Sequence, residues 1–271
     1  MSKPLRSKIS PILRTNKLTL SGFDKWTPSD YLRDYYGYVE QDERYTLRFL
    51  VDEFKKIREN PIALEFGAGP TLHHILPLSP YVAEIHVADY LKTNLSEIKK
   101  WQQKEVGMHN WKPFTELILK YEGNLEPTDS DIERREELTR QKITKYILCD
   151  ASNKAPLLGN GLSHYSFMLS CYCADSATNS REVWHDYMVN ILSLLKPGGF
   201  FVTAALRDCR YYKVGKRFFP CANLREGDFN NLFVNLDFDM STVNIMVQKV
   251  PEHKEIGYES IILASGFKKS D

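Results

Sequence analysis

The stretch from residue 62 to residue 71 constrains the fold more than any other part of this chain. Its first five residues, Ile-Ala-Leu-Glu-Phe, predict a buried parallel strand, and Gly67-Ala-Gly69 follows directly. Glycines let the backbone turn tightly and approach a ligand closely. Pro70 and Thr71 then predict the start of a helix, because proline suits the first helical turn. The stretch therefore predicts a strand, a ligand-binding loop and a helix in that order.

The position of one acidic residue restricts the classes of ligand that this loop could bind. Asp89 lies twenty residues after Gly69, at the end of a second strand-like run over residues 83–88. At this spacing in a Rossmann-type unit, an acid after the second strand reaches ribose hydroxyls. A third glycine is missing because Leu72 takes its place, and Pro70 lacks the N–H that a pyrophosphate would need. There is also no Gly-Lys-Ser/Thr motif, so we expect a nucleoside without phosphates, of which S-adenosylmethionine is the common one.

The rest of the chain alternates between strands and helices. Further strands are predicted at residues 146–149, 165–170, 200–205, 243–250 and 258–264. Helices are predicted from Thr27-Pro28 onward and at residues 40–57, 90–101, 122–142, 181–195 and 226–236. Too few residues separate the last two strands for a helical crossover, so these strands should pair antiparallel. The pattern predicts an α/β fold of Rossmann-like type, with a mostly parallel seven-stranded sheet, one antiparallel strand and helices on both faces.

No linker or repeat divides the sequence. We expect a single domain over residues 1–271, with residues 1–38 as an N-terminal tail and helical cap and residues 39–271 as the core. The basic start lacks the apolar centre of a secretory signal. The lack of acids before Asp24 leaves a transit peptide open, but a solvated tail is our expectation.

Composition excludes several classes of partner. A net charge of +1 gives no electrostatic case for nucleic acid or a membrane surface, and no apolar run approaches the roughly 18–20 residues of a membrane span. The five cysteines have spacings that fit neither a disulfide framework nor a zinc site, so we expect reduced thiols in the cytoplasm. His73 and His74 have no evident ligand partner and are expected to be ordinary helix residues. The sequence thus predicts no metal site.

Several local motifs together resemble one family, the class I S-adenosylmethionine-dependent methyltransferases of the nicotinamide, phenylethanolamine and indolethylamine N-methyltransferase group. The resemblance covers about residues 28–267. The motifs are Asp30-Tyr31-Leu32, Tyr35-Tyr36, Gly67-Ala68-Gly69-Pro70-Thr71, Asp89-Tyr90 with Asn94, Glu97 with Trp101, Trp111-Lys112-Pro113, Glu122-Gly123, Cys149-Asp150, Leu194 to Gly199, and Tyr211 to Gly215.

The resemblance implies a site for S-adenosylmethionine. Tyr31 and Tyr36 would close over its methionine part, Asp89 would accept hydrogen bonds from both ribose hydroxyls, and Asp150 would accept one from the adenine amino group. The residues implied to bind the cofactor are Tyr31, Tyr36, Gly67, Ala68, Gly69, Thr71, Asp89, Tyr90, Asn94, Asp150, Ala151 and Cys171.

The substrate side departs from the family pattern. Relatives often carry an acid at the end of the fifth strand, where this chain has Ala204 and Ala205. The polar candidates for catalysis are Asp208, Asp175 and Tyr36. The candidates for substrate binding are Tyr212, Arg207 and Arg210. The two arginines would either bind a substrate carboxylate or lie on the surface.

These observations predict a methyltransferase that acts on a nitrogen of a small-molecule amine or N-heterocycle by in-line displacement. Alignment of the reacting atoms in a water-poor pocket would supply about 7–11 kcal/mol of the barrier, and no metal or covalent intermediate is required. Two alternatives stay open: an O- or S-methyltransferase on the same scaffold, and a non-catalytic protein that binds S-adenosylmethionine. We expect a monomer without nucleic-acid or membrane partners.

Overall fold

A seven-stranded sheet forms the centre of the molecule. The structure is a computed structural model that describes residues 19–159 and 161–270. In spatial order, the strands of the sheet are β3 (Ile143–Leu148), β2 (Glu84–Asp89), β1 (Ile62–Phe66), β4 (Tyr165–Cys171), β5 (Leu195–Arg207), β9 (Ser260–Phe267) and β8 (Asn244–Lys249). Strand β9 runs antiparallel to both of its neighbours, and the first five strands are mutually parallel. The predicted mostly parallel sheet with one antiparallel strand is therefore confirmed.

Helices cover both faces of this sheet. They are α1 (Pro28–Tyr35), α2 (Gln41–Phe54), α3 (Lys92–Gln102), α4 (Lys112–Tyr121), α5 (Asp129–Lys142), α6 (Arg181–Leu192) and α7 (Glu226–Asn235). One core cluster contains the buried side of α2, including Leu50 and Phe54, and the other contains Trp184 of α6 and Phe229 of α7. The near-continuous apolar runs of β1, β4 and β5 follow from this burial on both faces.

The helix expected at Pro70 does not form. Residues 71–78 are loop and turns, and a short 3-10 segment, Ser79–Tyr81, follows. Pro77 and Pro80 explain the difference, because proline lacks the N–H of the helical ladder and disfavours a helical conformation in the residue before it. The prediction that His73 and His74 are ordinary helix residues was therefore wrong.

Other boundaries differ more modestly from the predictions. Helix α6 ends at Leu192 and β5 already begins at Leu195, so the strand includes the predicted helix end and the turn after it. Helix α4 was not predicted, nor was a small antiparallel hairpin made of β6 (Tyr211–Val214) and β7 (Arg217–Pro220).

Two further predictions concern the N-terminal tail and membrane-spanning helices. Up to residue 18, the expected solvated tail lies outside the described residues. Within the two described ranges, none of the helices combines the length and the apolar character needed to cross a membrane.

Candidate functional site

A cavity of about 450 Å³ opens where the parallel strands end. The carboxyl ends of β1, β2 and β4 supply its floor, as is usual for ligand sites in open α/β sheets. All of the residues predicted to bind a cofactor line this cavity, namely Tyr31, Tyr36, Gly67, Ala68, Gly69, Thr71, Asp89, Tyr90, Asn94, Asp150, Ala151 and Cys171. Tyr212, a predicted substrate-binding residue on β6, also lines it.

The loop after β1 needs its two glycines. Gly67 and Gly69 have φ angles of +77° and +61°, a region that residues with a side chain rarely adopt. A Cβ atom on Gly67 would collide with the side chain of Cys173. The Gly67 amide donates to the Ala88 carbonyl at 2.8 Å, which fixes the loop against the end of β2. The loop is therefore held open toward the cavity.

Asp89 is oriented by three donors. Its carboxylate accepts hydrogen bonds from the Gly69 amide at 2.8 Å, the Leu91 amide at 2.7 Å and the Asn94 side chain at 3.0 Å. Burial raises the pKa of Asp89, while these donors favour its charged form. A carboxylate offers about four lone-pair sites, so acceptor capacity remains for a ligand hydroxyl.

The next strand end contributes Asp150. Asp150 Oδ1 accepts hydrogen bonds from the Ser152 amide at 2.9 Å and from the Ser152 hydroxyl at 2.7 Å. This turn presents Asp150 and Ala151 on the cavity wall, together with Tyr187 of α6. Tyr187 was not predicted, because its position on the helix gives no sequence signal for a site.

An aromatic cap closes the other side of the cavity. The hydroxyls of Tyr31 and Tyr36 are 3.3 Å apart, and Trp26 packs on Tyr31 with ring centroids 4.6 Å apart. The Trp26 indole N–H donates to the Asn94 side-chain oxygen at 3.1 Å, and Asn94 in turn contacts Asp89. Phe23 and Trp26 were missed because the residues before α1 show no periodicity. The aromatic side chains themselves were the available signal.

Of the predicted catalytic acids, Asp208 does not reach the cavity. It lies just past the end of β5 in a left-handed conformation with φ of +52°, and its carboxylate pairs with Arg207 and Arg225, each at 2.7 Å. The residues that line the cavity do not include Asp208. Its expected catalytic role is corrected accordingly, because the turn after β5 directs it to the surface.

The predicted arginines are also directed away from the cavity. Arg207 pairs with Glu226 at the start of α7 at 2.7 Å. Arg210 is exposed and lines a separate, shallow pocket of about 320 Å³ next to Leu20 and Tyr211. The expectation that they bind a substrate carboxylate is therefore corrected in favour of the surface alternative.

Asp175 lies directly behind the cavity wall. Its Oδ2 accepts a hydrogen bond from the Leu206 amide at 3.0 Å, and both Leu206 and the adjacent Ser176 line the cavity. Burial raises the pKa of the Asp175 carboxyl to about 7. The cavity lining contains Ser176 and Leu206 but not Asp175 itself, so this acid shapes the wall and does not form its surface.

The remaining charged groups of the cavity are all acidic. Asp24, Asp42 and Glu43 line it in addition to Asp89 and Asp150, and among the described lining residues there is no lysine or arginine. Burial raises the pKa of Asp42 to about 6 and that of Glu43 to about 8. The cavity is therefore suited to ligands that carry positive charge.

Two buried histidines lie beside these acids. His73 Nε2 is 3.0 Å from Glu43 Oε2, and His74 Nδ1 is 3.2 Å from Glu65 Oε1. Burial lowers the pKa of His73 to about 3 and that of His74 to about 4, so both imidazoles are neutral at neutral pH. Sequence analysis gave His73 no partner, because Glu43 is thirty residues away in the chain.

Comparison with known proteins agrees with this geometry. The sequence profile of the NNMT/PNMT/TEMT family matches residues 17–268. The chain belongs to this family. It is similar to nicotinamide N-methyltransferase from Sus scrofa, with 31% identity over 72% of this chain and 75% of that protein. It is also similar to indolethylamine N-methyltransferase from Oryctolagus cuniculus, with 27% identity over 79% of this chain and 82% of that protein.

A solved structure supports the fold of this NNMT/PNMT/TEMT family member independently. A SAM-dependent methyltransferase from Methanosarcina mazei superimposes with a TM-score of 0.54 at 12% identity, covering 81% of this chain and 98% of that one. At this identity the likeness concerns the fold alone.

Proposed function

We propose that this protein transfers a methyl group from S-adenosylmethionine to a nitrogen of a small-molecule amine or N-heterocycle. One observation carries the proposal: the glycine loop, Asp89 and Asp150, which are far apart in sequence, line the same 450 Å³ cavity. Membership of the NNMT/PNMT/TEMT family over residues 17–268 supports the same chemistry.

The residues of the cavity fit the nucleoside part of this cofactor. Asp89 keeps acceptor capacity for a ribose hydroxyl, and Gly67 and Gly69 line the cavity beside it. Asp150 is half-buried at the end of the neighbouring strand, where it is available to an adenine amino group. When bound, S-adenosylmethionine supplies a methyl group that its sulfonium already activates.

The cap residues exclude water and orient the reacting groups. Tyr31 and Tyr36 cover the cavity, and the hydroxyl of Tyr36 positions the reacting groups. Tyr212 continues this wall, with its hydroxyl 3.4 Å from the Ser176 carbonyl. Alignment in such an enclosure can contribute about 7–11 kcal/mol to lowering the barrier. Cys171 and Tyr172 at the end of β4 complete the floor.

The charge of the cavity supports an amine or neutral heterocycle as the acceptor. The described lining residues offer carboxylates and aromatic faces, both of which stabilise a cation, and no lysine or arginine that would hold an acidic substrate. A pyridine-type nitrogen needs no base, whereas an alkylamine must first lose its proton. Acidic acceptors are the class that this wall disfavours.

We further place this activity in the cytoplasm, in a monomeric single-domain protein. The five free cysteines support a reducing compartment, because no pair of them forms a disulfide.

The decisive experiment measures formation of S-adenosylhomocysteine by the purified full-length protein. A panel of amines, N-heterocycles, thiols and phenols distinguishes the acceptor classes, and we expect product with the nitrogen compounds. Product with thiols or phenols alone would contradict N-methylation. Binding of S-adenosylmethionine without product from any acceptor would identify a non-catalytic binding protein.

A further inference from the structure

Three potential metal ligands meet at the inner wall of the cavity. Glu43 lies in the first turn of α2, and His73 and His74 lie in the turn after the glycine loop. The exposed fractions of Glu43, His73 and His74 are 5%, 0% and 4%. One ligand atom from each residue lies within 4.8 Å of the other two. A carboxylate and two imidazoles are thus gathered in a space that excludes water.

Lone pairs in this cluster lack partners. Within the described part of the chain, Glu43 Oε2, His74 Nε2 and both ring nitrogens of His73 are buried and accept or donate no hydrogen bond. His73 Nε2 and Glu43 Oε2 are only 3.0 Å apart, but they are out of line for an N–H···O hydrogen bond. Buried polar atoms without a partner are uncommon in folded proteins, and here they belong to the three side chains of one cluster.

A second carboxylate orients one of the imidazoles. Glu65 Oε1 lies 3.2 Å from His74 Nδ1, and when this nitrogen carries the proton, Nε2 presents its lone pair. Histidines that bind metals usually donate their other N–H to a carboxylate or carbonyl in this way. His73 is fixed by stacking on Trp111, with ring centroids 5.5 Å apart and planes within 10°.

The buried carboxylates around this cluster also favour binding of a cation. Glu43 and Glu65 are both buried, and the described residues that line the adjoining cavity include no lysine or arginine. Buried carboxylates are normally paired or coordinate a metal. Two imidazoles and one carboxylate are a ligand set that Zn²⁺ uses in tetrahedral sites with one open position.

We propose that Glu43, His73 and His74 bind one divalent transition-metal ion, of which Zn²⁺ fits the ligand set. Its fourth coordination position faces the cavity, because Glu43 and His74 both line it. The ion ties the start of α2 to the turn after the glycine loop and thereby stiffens the cavity wall. This site is independent of the proposed methyl transfer, and its test requires no turnover.

A second group of acids and histidine provides a control. Glu40, Asp42 and His253 also cluster, but the Tyr258 hydroxyl lies 2.7 Å from both His253 Nδ1 and Asp42 Oδ2. His253 Nε2 also pairs with Glu40 at 3.0 Å, so these groups have partners within the protein, and His253→Gln should still bind the metal.

The test begins with full-length protein stripped by a chelator and dialysed against Zn²⁺ or Co²⁺. We expect one equivalent of bound Zn²⁺ by atomic emission, the visible absorption of tetrahedral Co²⁺, and a higher thermal unfolding midpoint with metal. His73→Gln, His74→Gln and Glu43→Gln should abolish the Co²⁺ band. Glu65→Gln, which removes only the orienting carboxylate, should weaken metal binding by about 10- to 100-fold.

Three results would overturn the site. The first is wild-type protein that retains less than a stoichiometric amount of metal after dialysis, a measurement that does not depend on how the variants fold. The second is Co²⁺ absorption that survives His73→Gln and His74→Gln or disappears in His253→Gln. The third is a result with metal-free protein: Glu43→Gln weakens the binding of S-adenosylhomocysteine but not that of methylthioadenosine. Only the first of these ligands carries an ammonium group, so this group and not a metal ion would then occupy the cluster.

Discussion

At the scale of single residues, Asp89 has two connected tasks. Its carboxylate accepts the Gly69 and Leu91 amides and the Asn94 side chain, so it shapes the loop as well as facing the cavity. Tight positioning of this kind makes the residue sensitive to substitution, because both the loop and the ligand lose a charged acceptor.

Asp89→Ala should therefore lose most of the affinity for S-adenosylmethionine. We expect a loss of about 2–4 kcal/mol in binding free energy, since charge-assisted hydrogen bonds are removed and buried donors are left unpaired. Calorimetric titration measures it, with circular dichroism to check the fold. Glu84→Ala, at the opposite end of the same strand, is the matched control and should bind normally. If Asp89→Ala binds S-adenosylmethionine with wild-type affinity, Asp89 does not bind the cofactor.

The raised pKa of Asp175 predicts that the stability of the fold depends on pH. Its pKa in the folded protein is raised to about 7 from an ordinary value of 3.8, so between these values the folded state holds a proton that the unfolded state has released. The free energy of unfolding therefore falls as pH rises from about 4 to about 7, by an amount on the order of a few kcal/mol.

The variant Asp175→Asn should lack this contribution. Its amide oxygen can still accept the Leu206 N–H, but the residue cannot ionise. Urea unfolding at pH 4, 5, 6 and 7 should show a shallower decline for the variant than for the wild type. Parallel curves for the two proteins would mean that Asp175 ionises in the folded state as it does in the unfolded one.

At the scale of elements, the cap depends on a contact between α1 and the β6–β7 hairpin. The Tyr35 hydroxyl donates to the Lys213 carbonyl at 2.8 Å, and the Gly215 amide donates to Asp34 at 2.6 Å. Helix α1 has only eight residues, too few for a stable isolated helix, so its position depends on these contacts and on its aromatic packing.

Tyr35→Phe should loosen this cap without unfolding the core. A hydrogen bond contributes about 0.5–1.5 kcal/mol, so amide exchange of residues 28–35 should accelerate by roughly 2- to 12-fold. Tyr81→Phe, at the opposite end of the sheet, is the control and should leave this exchange unchanged.

Ligand binding tests whether the same segment moves. We expect residues 28–38 to gain protection when S-adenosylhomocysteine binds, because a lid that excludes water must open to admit its ligand. Strong and equal protection with and without the ligand would identify a fixed wall instead.

At the scale of the whole molecule, the acidic cavity should select acceptors by charge. The chain as a whole is nearly neutral at +1, yet the charged lining residues that the structure describes are all carboxylates. A dication at the proposed metal site would leave Asp24, Asp89 and Asp150 as acidic groups on the cavity lining. The cavity thus concentrates negative charge, which the nearly neutral net charge of the chain does not reveal.

A matched pair of acceptors measures this selectivity. An arylethylamine and the corresponding amino acid differ only by a carboxylate, and we expect kcat/KM to be at least about tenfold lower for the amino acid, which is about 1.4 kcal/mol of transition-state binding. Equal values for the two compounds would show that the acidic wall does not contact the acceptor.

The sequence by itself determined the sheet and the cofactor side of the cavity. Apolar runs, the positions of Gly67 and Gly69, and the spacing to Asp89 are local signals, because strand periodicity and loop conformation depend on neighbouring residues. Parallel strands bring their carboxyl ends to one edge, so residues such as Asp89 and Asp150, each at the end of a predicted strand, had to meet there.

Only the tertiary structure decided the partners of side chains from distant elements. Glu43 meets His73 because α2 packs against the turn after β1, and Asp208 faces the surface because the chain turns in a left-handed conformation beyond β5. The turns that replace the expected helix at Pro70 are different, because Pro77 and Pro80 are a local signal against a helix that our prediction overlooked. Contacts between elements arise from packing in three dimensions, and local patterns along a single chain do not show which faces will meet.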